Sequence, residues 1–140
     1  MTLVVDASVV FKWFAAEPDS AAAVALLATG ETLIAPDLLP AEVLNAAWRS
    51  WRRGELLADQ ARAIPTRLGS LLERLHPSLT LSARAIEMAL VLDQPVYDCL
   101  YLALAERERT VVVTADRRLI AKVESSPWAE LVRALGQESA

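Results

Sequence analysis

The sequence predicts an α/β fold with a parallel sheet covered by helices on both faces. Two runs carry that expectation. Leu3-Val4-Val5 and Val111-Val112-Val113 are β-branched, uncharged and without polar alternation. That is the pattern of strands buried on both sides. The chain between them has helical period and is punctuated by Gly and Pro. Strands alternating with helices imply βαβ units, and right-handed crossovers put most helices in two outer layers.

The elements follow in order. The strand over 3–5 starts almost at the first residue, and Ser8 is placed to cap a helix over 9–14. Pro18-Asp19-Ser20 opens an Ala-rich helix to residue 27, which Gly30 ends. A second strand over 32–35 is closed by Pro36. Pro40 begins a helix that runs to residue 53 and stops at Gly54. Helices follow over 59–72, 82–92 and 97–107, the last after Gln94-Pro95. The stretch 73–81 is ambiguous, with a short edge strand near Leu75 as the expectation. After the strand over 111–113, Asp116 caps a helix to residue 123, and 129–134 reads as a last strand or a helix.

Composition narrows the class. With 140 residues and 54% apolar content, one domain over 1–140 can form a core without staples. The single cysteine excludes an intramolecular disulfide, so a reducing cytoplasm is the expected compartment. A net charge of −4 argues against a protein held on nucleic acid by bulk positive charge. It allows an enzyme that borrows positive charge from a bound cation. No apolar run reaches the ~18 residues that span a bilayer, so no membrane partner is expected. The apolar N-terminus is interrupted by Asp6 and Lys12 and lacks a basic leader, which argues against a signal peptide.

Four acids occupy special places. Asp6 follows the first strand directly, and Asp116 follows the strand over 111–113 after Thr114-Ala115. Glu42 and Asp98 fall in the first turns of their helices. In open α/β sheets, ligands bind beyond the carboxyl ends of the strands. Each acid also has a plain explanation, because carboxylates are favoured at helix N-termini and Asp116 is a good cap. Together they are harder to explain. Four carboxylates at one sheet edge repel unless a cation sits among them, and hard ions such as Mg²⁺ and Mn²⁺ take oxygen ligands.

The segments VVDASV, PAEVLNA, VYDCLYLALAE and VTADRRL, in this order and spacing, resemble those of a PIN domain. More narrowly, they resemble VapC toxins of toxin–antitoxin pairs. The resemblance implies a three-layer α/β/α sandwich and Mg²⁺- or Mn²⁺-dependent endoribonuclease chemistry. It carries the family's four acids onto Asp6, Glu42, Asp98 and Asp116. Asn45, Thr114 and Ser8 match polar positions of the motifs, with Ser8 and Thr114 expected to orient carboxylates. It further implies a homodimer and a small VapB-like antitoxin whose C-terminal segment covers the active site. Cys99 stands where the family usually has Ala and is read as a packing residue.

RNA needs basic contacts. Glu42, Asn45 and Arg49 share one helix face, and Arg52 and Arg53 extend it. Lys12, Arg117, Arg118 and Lys122 lie on helices that follow the acid-bearing strands and are further candidates to guide phosphates; an ordinary solvated charge face is the alternative. Trp48 and Trp51 lie on another side of the Glu42 helix, and Phe11, Trp13 and Phe14 crowd the first helix. Some of these rings are expected in the core and the rest at an interface. His76, before Pro77, is expected to be a surface or satisfied core residue.

Three other readings compete. A response-regulator receiver needs an acidic pair at the first strand and a late strand ending in Lys, which are missing. A haloacid-dehalogenase-like phosphatase needs Asp at position 8, where Ser8 stands. The main alternative is a non-catalytic PIN-like module that binds RNA or protein.

Overall fold

The computed structural model describes residues 1–137. Its strands are β1 (Thr2–Val5), β2 (Thr32–Pro36), β3 (Arg74–His76), β4 (Val112–Thr114) and β5 (Val132–Ala134). They form one parallel sheet in the order β3-β2-β1-β4-β5. The apolar runs expected as strands fall in β1, the middle strand, and in its neighbour β4, and every residue over 3–5 and 112–114 is buried.

The helices are α1 (Ala7–Phe11), α2 (Ser20–Leu27), α3 (Leu39–Arg52), α4 (Ala58–Leu71), α5 (Ser82–Leu92), α6 (Val96–Glu108) and α7 (Arg117–Glu124). The chain steps from β1 outward to β2 and β3, then returns to β4 beside β1 and steps out to β5 on the other side. Right-handed crossovers therefore put α1 to α4 on one face and α5 to α7 on the other. The packing agrees: α3 contacts α1 and α4, while α5 packs along α6. The result is a three-layer α/β/α sandwich.

Helix α6 explains its own place. Residues 99–105 are all buried, so the middle of the helix has no polar face. A helix apolar all round belongs inside a fold, and α6 crosses β1, β2 and β4. Gly54 follows α3 at φ +74°, a left-handed turn that ends the helix where the sequence places its end.

Three local readings are corrected or completed. The first helix spans Ala7–Phe11 with Asp6 in the N-cap position, so Ser8 is not its cap; the Ser8 hydroxyl donates to Asp6 instead. The segment 73–81 holds the expected edge strand, followed by a 3-10 turn over Ser78–Leu81. The segment 129–134 is both things in succession, a 3-10 turn over Ala129–Leu131 and then β5.

Candidate active site

The sheet reverses its direction of winding between β1 and β4. A crevice at the carboxyl end of such a switch point is where this architecture binds ligands. Asp6 leaves the end of β1 and Asp116 follows the end of β4, so both acids flank that point. Glu42 comes from the first turn of α3 and Asp98 from the first turn of α6. The four line one cleft of ≈ 450 Å³, with Ser8, Lys12, Glu17, Arg49 and Arg53 around them.

Each carboxylate is held through one oxygen. The Ser8 hydroxyl donates to Asp6 Oδ2 at 2.6 Å and the Thr114 hydroxyl donates to the same oxygen at 2.8 Å. Those hydroxyls are themselves fixed by backbone, since the Ala115 N–H donates to Ser8 Oγ and the Asp116 N–H to Thr114 Oγ1. Asp98 Oδ2 accepts from Gln94 Nε2 at 2.9 Å. Glu42 Oε1 accepts from the Tyr101 phenol at 2.7 Å. Asp116 Oδ1 accepts the Arg118 and Leu119 N–H groups, which makes it the true cap of α7. Among the described residues, the second oxygen of Glu42, Asp98 and Asp116 accepts no well-formed hydrogen bond.

The electrostatics follow from this crowding. Burial pushes the Asp6 carboxyl above its usual range, the Ser8 and Thr114 hydroxyls oppose that, and the charge of Asp116 adds to it. Glu42 is raised by burial, held back by Tyr101, and raised further by Asp6 and Asp98. Asp98 is raised by burial, held back by Gln94, and raised by Asp6 and Asp116. The acids thus interact as one like-charged set. An all-oxygen donor set of this kind suits a hard divalent ion, and the unengaged oxygens are the ones available to it. Among the described residues, no three acids are already drawn together as a ligand set.

The basic residues divide. Lys12, Arg49 and Arg53 line the acid cleft. Lys12 is partly committed, donating to the Pro18 carbonyl at 2.7 Å and lying 3.5 Å from Glu17. Arg52 does not line the cleft; its guanidinium lies 5.1 Å from the centre of the Trp48 ring. Arg117 lines a neighbouring cavity with Asp19, Ile120 and Glu124. Arg118 is exposed, and Lys122 Nζ donates to the Leu92 carbonyl. Asn45, matched to a polar position of the motifs, is exposed, lies outside the cleft lining and bonds none of the acids among the described residues.

Tyr101 and Gln94 were not singled out by sequence reasoning. Tyr101 lies on α6 three residues after Asp98, a spacing that shares a helix face, whereas Gln94 reaches Asp98 from the loop just before the helix. Tyr101 was hidden because it sits inside an apolar run that reads as core, and it is indeed fully buried. Of the aromatic residues, Phe11, Trp13 and Phe14 pack against the core, whereas Trp48 and Trp51 are about half exposed. Cys99 is buried and its thiol is pushed up to about 11 by burial and then by Asp98, which fits packing and not nucleophilic attack.

Comparison with known proteins gives the same picture. The PIN domain model matches residues 3–125. The chain is 34% identical over 124 residues to "Ribonuclease VapC3" of Pyrobaculum aerophilum, covering 87% of this chain and 95% of that one. It is 37% identical over 120 residues to "Ribonuclease VapC1" of Mycobacterium tuberculosis, covering 84% and 88%. In fold it is similar to the crystal structure of VapBC2 from Rickettsia felis bound to a promoter DNA fragment, with a TM-score of 0.68, 16% identity and coverage of 96% and 98%.

Proposed function

The chain belongs to the PIN domain family, and from that premise we propose that it is a divalent-metal-dependent endoribonuclease, the toxin of a toxin–antitoxin pair. The observation that carries the reading is the cleft itself. Four carboxylates from four elements share it, each anchored through one oxygen, with Arg49 and Arg53 on its wall. The two relatives above, named as ribonucleases, support RNA as the substrate.

Asp6, Glu42, Asp98 and Asp116 would hold Mg²⁺ or Mn²⁺. Such an ion polarises a phosphoryl oxygen and lowers the pKa of an attacking water. Ser8 and Thr114 aim the Asp6 carboxylate, and Gln94 aims that of Asp98. Tyr101 leaves Glu42 one free oxygen with which to orient the attacking water. Arg49, Arg53 and Lys12 bind the flanking phosphates and offset the negative charge of the site.

A small antitoxin and a second copy of the chain are the proposed protein partners. Exposed Ile86, Leu90 and Val91 on α5 and Tyr97 on α6 support an apolar protein contact. No single helix among the described residues is long and apolar enough to cross a membrane, and a cytoplasmic location fits the single reduced cysteine.

The deciding experiment is cleavage of a single-stranded RNA with Mg²⁺ and with excess EDTA, comparing wild type with Asp6→Asn. Cleavage should need the metal and should fall by orders of magnitude in the variant. Full activity in EDTA, or in Asp6→Asn, would sink the metal-dependent reading. RNA binding without any cleavage would favour the non-catalytic module.

A further inference from the structure

Helix α3 carries a second depression of ≈ 370 Å³, lined by Trp48, Arg49, Arg52 and Arg53. Arg49 and Arg53 also line the acid cleft, so the two spaces adjoin along one helix. The Arg52 guanidinium lies 5.1 Å from the centre of the Trp48 ring. These two residues are i and i+4, neighbours on the helix surface. Trp48 is 49% exposed, so the core does not account for its ring. Among the described residues, Arg49 and Arg52 make no ion pair, and Arg53 reaches only Glu55, at 3.8 Å with both side chains 63% exposed.

An indole framed by three arginines has a specific chemistry. Unpaired bases stack on aromatic rings and guanidinium planes, while arginines hold the adjoining phosphates. The helix dipole favours basic residues in a last turn, but it does not ask for a half-exposed tryptophan among them. An apolar protein partner seated on this ring must desolvate three arginines without offsetting their charge, which is costly. From Glu42 to Trp48 is six residues, about 9 Å along the axis. A strand crossing the acids therefore reaches the ring within a neighbouring stretch of nucleotides.

We infer that Trp48 and Arg52 form a stacking platform for an unpaired base of the RNA strand that crosses the acid cleft. The inference rests on the RNA-cleaving reading above and adds to it one specific contact: a base next to the scissile region splayed onto α3.

The test is binding of a fluorescently labelled single-stranded RNA of roughly 12 nucleotides to the full-length protein. It is run in EDTA, with the RNA recovered intact afterwards. Trp48→Ala should weaken binding by about 5- to 150-fold. Trp48→Phe should keep most of the affinity, because a phenyl ring also stacks and the fold is undisturbed. Arg52→Ala should fall between the two. The salt dependence of binding should be the same in Trp48→Ala as in wild type, since no phosphate contact is lost. A fully paired duplex of the same sequence should not distinguish the variants, because its bases are not free to stack on protein.

Wild-type affinity in Trp48→Ala overturns the platform, as does an equal loss for duplex and single strand. A change in the mass of Trp48→Ala in solution with RNA affinity intact also overturns it and assigns the ring to a protein contact. If wild type cleaves RNA while Trp48→Ala binds it normally, the platform fails and the nuclease reading stands. If wild type neither binds nor cleaves RNA, both fail.

Discussion

A single phenol joins the two helix layers at the site. Tyr101 comes from α6 on one face of the sheet and donates to Glu42 on α3 from the other. It is buried with its hydroxyl turned to the cleft, so it combines packing with the placement of a carboxylate. Tyr101→Phe keeps the ring and removes only the donor. That change should cost about 0.5–1.5 kcal/mol of stability and about 10- to 100-fold in activity, the usual scale for a group that orients a ligand. It also removes the bond that opposes the rise of the Glu42 carboxyl, so the acid limb of the pH–rate profile should move to higher pH. An unchanged rate and profile would reduce Tyr101 to a packing residue.

The three-residue strand β3 shows how an edge element is fastened. Ser78 donates twice to Asp37, from its N–H and its hydroxyl, just beyond the strand. His76, at the strand's end, is buried and receives Arg107 Nη2 at 2.9 Å on Nδ1. A guanidinium only donates, so Nδ1 must accept and the ring is neutral, with its proton on Nε2 toward Glu108, 3.8 Å away. Burial, then the charges of Arg74 and Arg107, lower its pKa below 6.5, and Glu108 opposes them. The sign follows. The unfolded chain takes up the proton at higher pH than the folded one, so stability is complete above 6.5 and is lost as pH falls through the folded value. Urea unfolding at neutral pH and about one unit below the ordinary histidine value should show this loss in wild type. His76→Gln should show less of it, and an identical pH response in the two proteins would acquit the histidine.

On the scale of the whole molecule, the acid cleft is a source of instability that a cation removes. Raised carboxyl pKa values mean that the folded, metal-free protein binds protons more readily than the unfolded chain. Their contribution is fully present below the unfolded values and is lost as pH rises through the raised folded ones. It therefore runs opposite to that of His76. Near neutral pH, Asp98→Asn should melt in EDTA at or above the wild-type temperature, because one repelling charge is gone while the oxygen that Gln94 contacts is kept. Mg²⁺ or Mn²⁺ at about 100-fold above Kd should stabilise wild type by roughly 2.7 kcal/mol, and the variant by less. A variant that melts lower in EDTA yet responds equally to metal would mark Asp98 as a simple helix-end residue.

Charge at this scale also sets how RNA is held. The net charge of −4 gives no general attraction, so affinity depends on the few arginines near the cleft. Replacing Arg49 and Arg53 together by Ala should weaken RNA binding across sequences. It should flatten the dependence of log K on log salt by about 0.7 per lost phosphate contact. An unchanged slope would return both residues to the solvated surface.

Much of this was legible in the sequence because it depends on local chemistry. Short β-branched apolar runs suit a strand buried on both faces, which marked β1 and β4 as interior strands. Gly54 marked the end of α3 because few other residues suit its left-handed backbone, whereas Pro36, expected to close β2, is its last paired residue. Asp6 and Asp116 stood out because charge beside a buried strand is costly, Glu42 and Asp98 because they open helices within recognisable motifs, and in the fold all four share one cleft. The ambiguous ends, 73–81 and 129–134, resolved only through partners: β3 exists because β2 lies beside it, and β5 because β4 does. The same holds at the site. That Ser8 and Thr114, 106 residues apart, meet over one oxygen of Asp6 depends on β1 lying next to β4. That Tyr101 serves Glu42 depends on two helices from opposite faces meeting at the carboxyl edge. Periodicity and composition act within a few turns of chain, so they determine elements and the edges at which charged groups gather. Which donor each acid receives is settled by contacts between residues far apart in the chain, and those exist only once the sheet has formed.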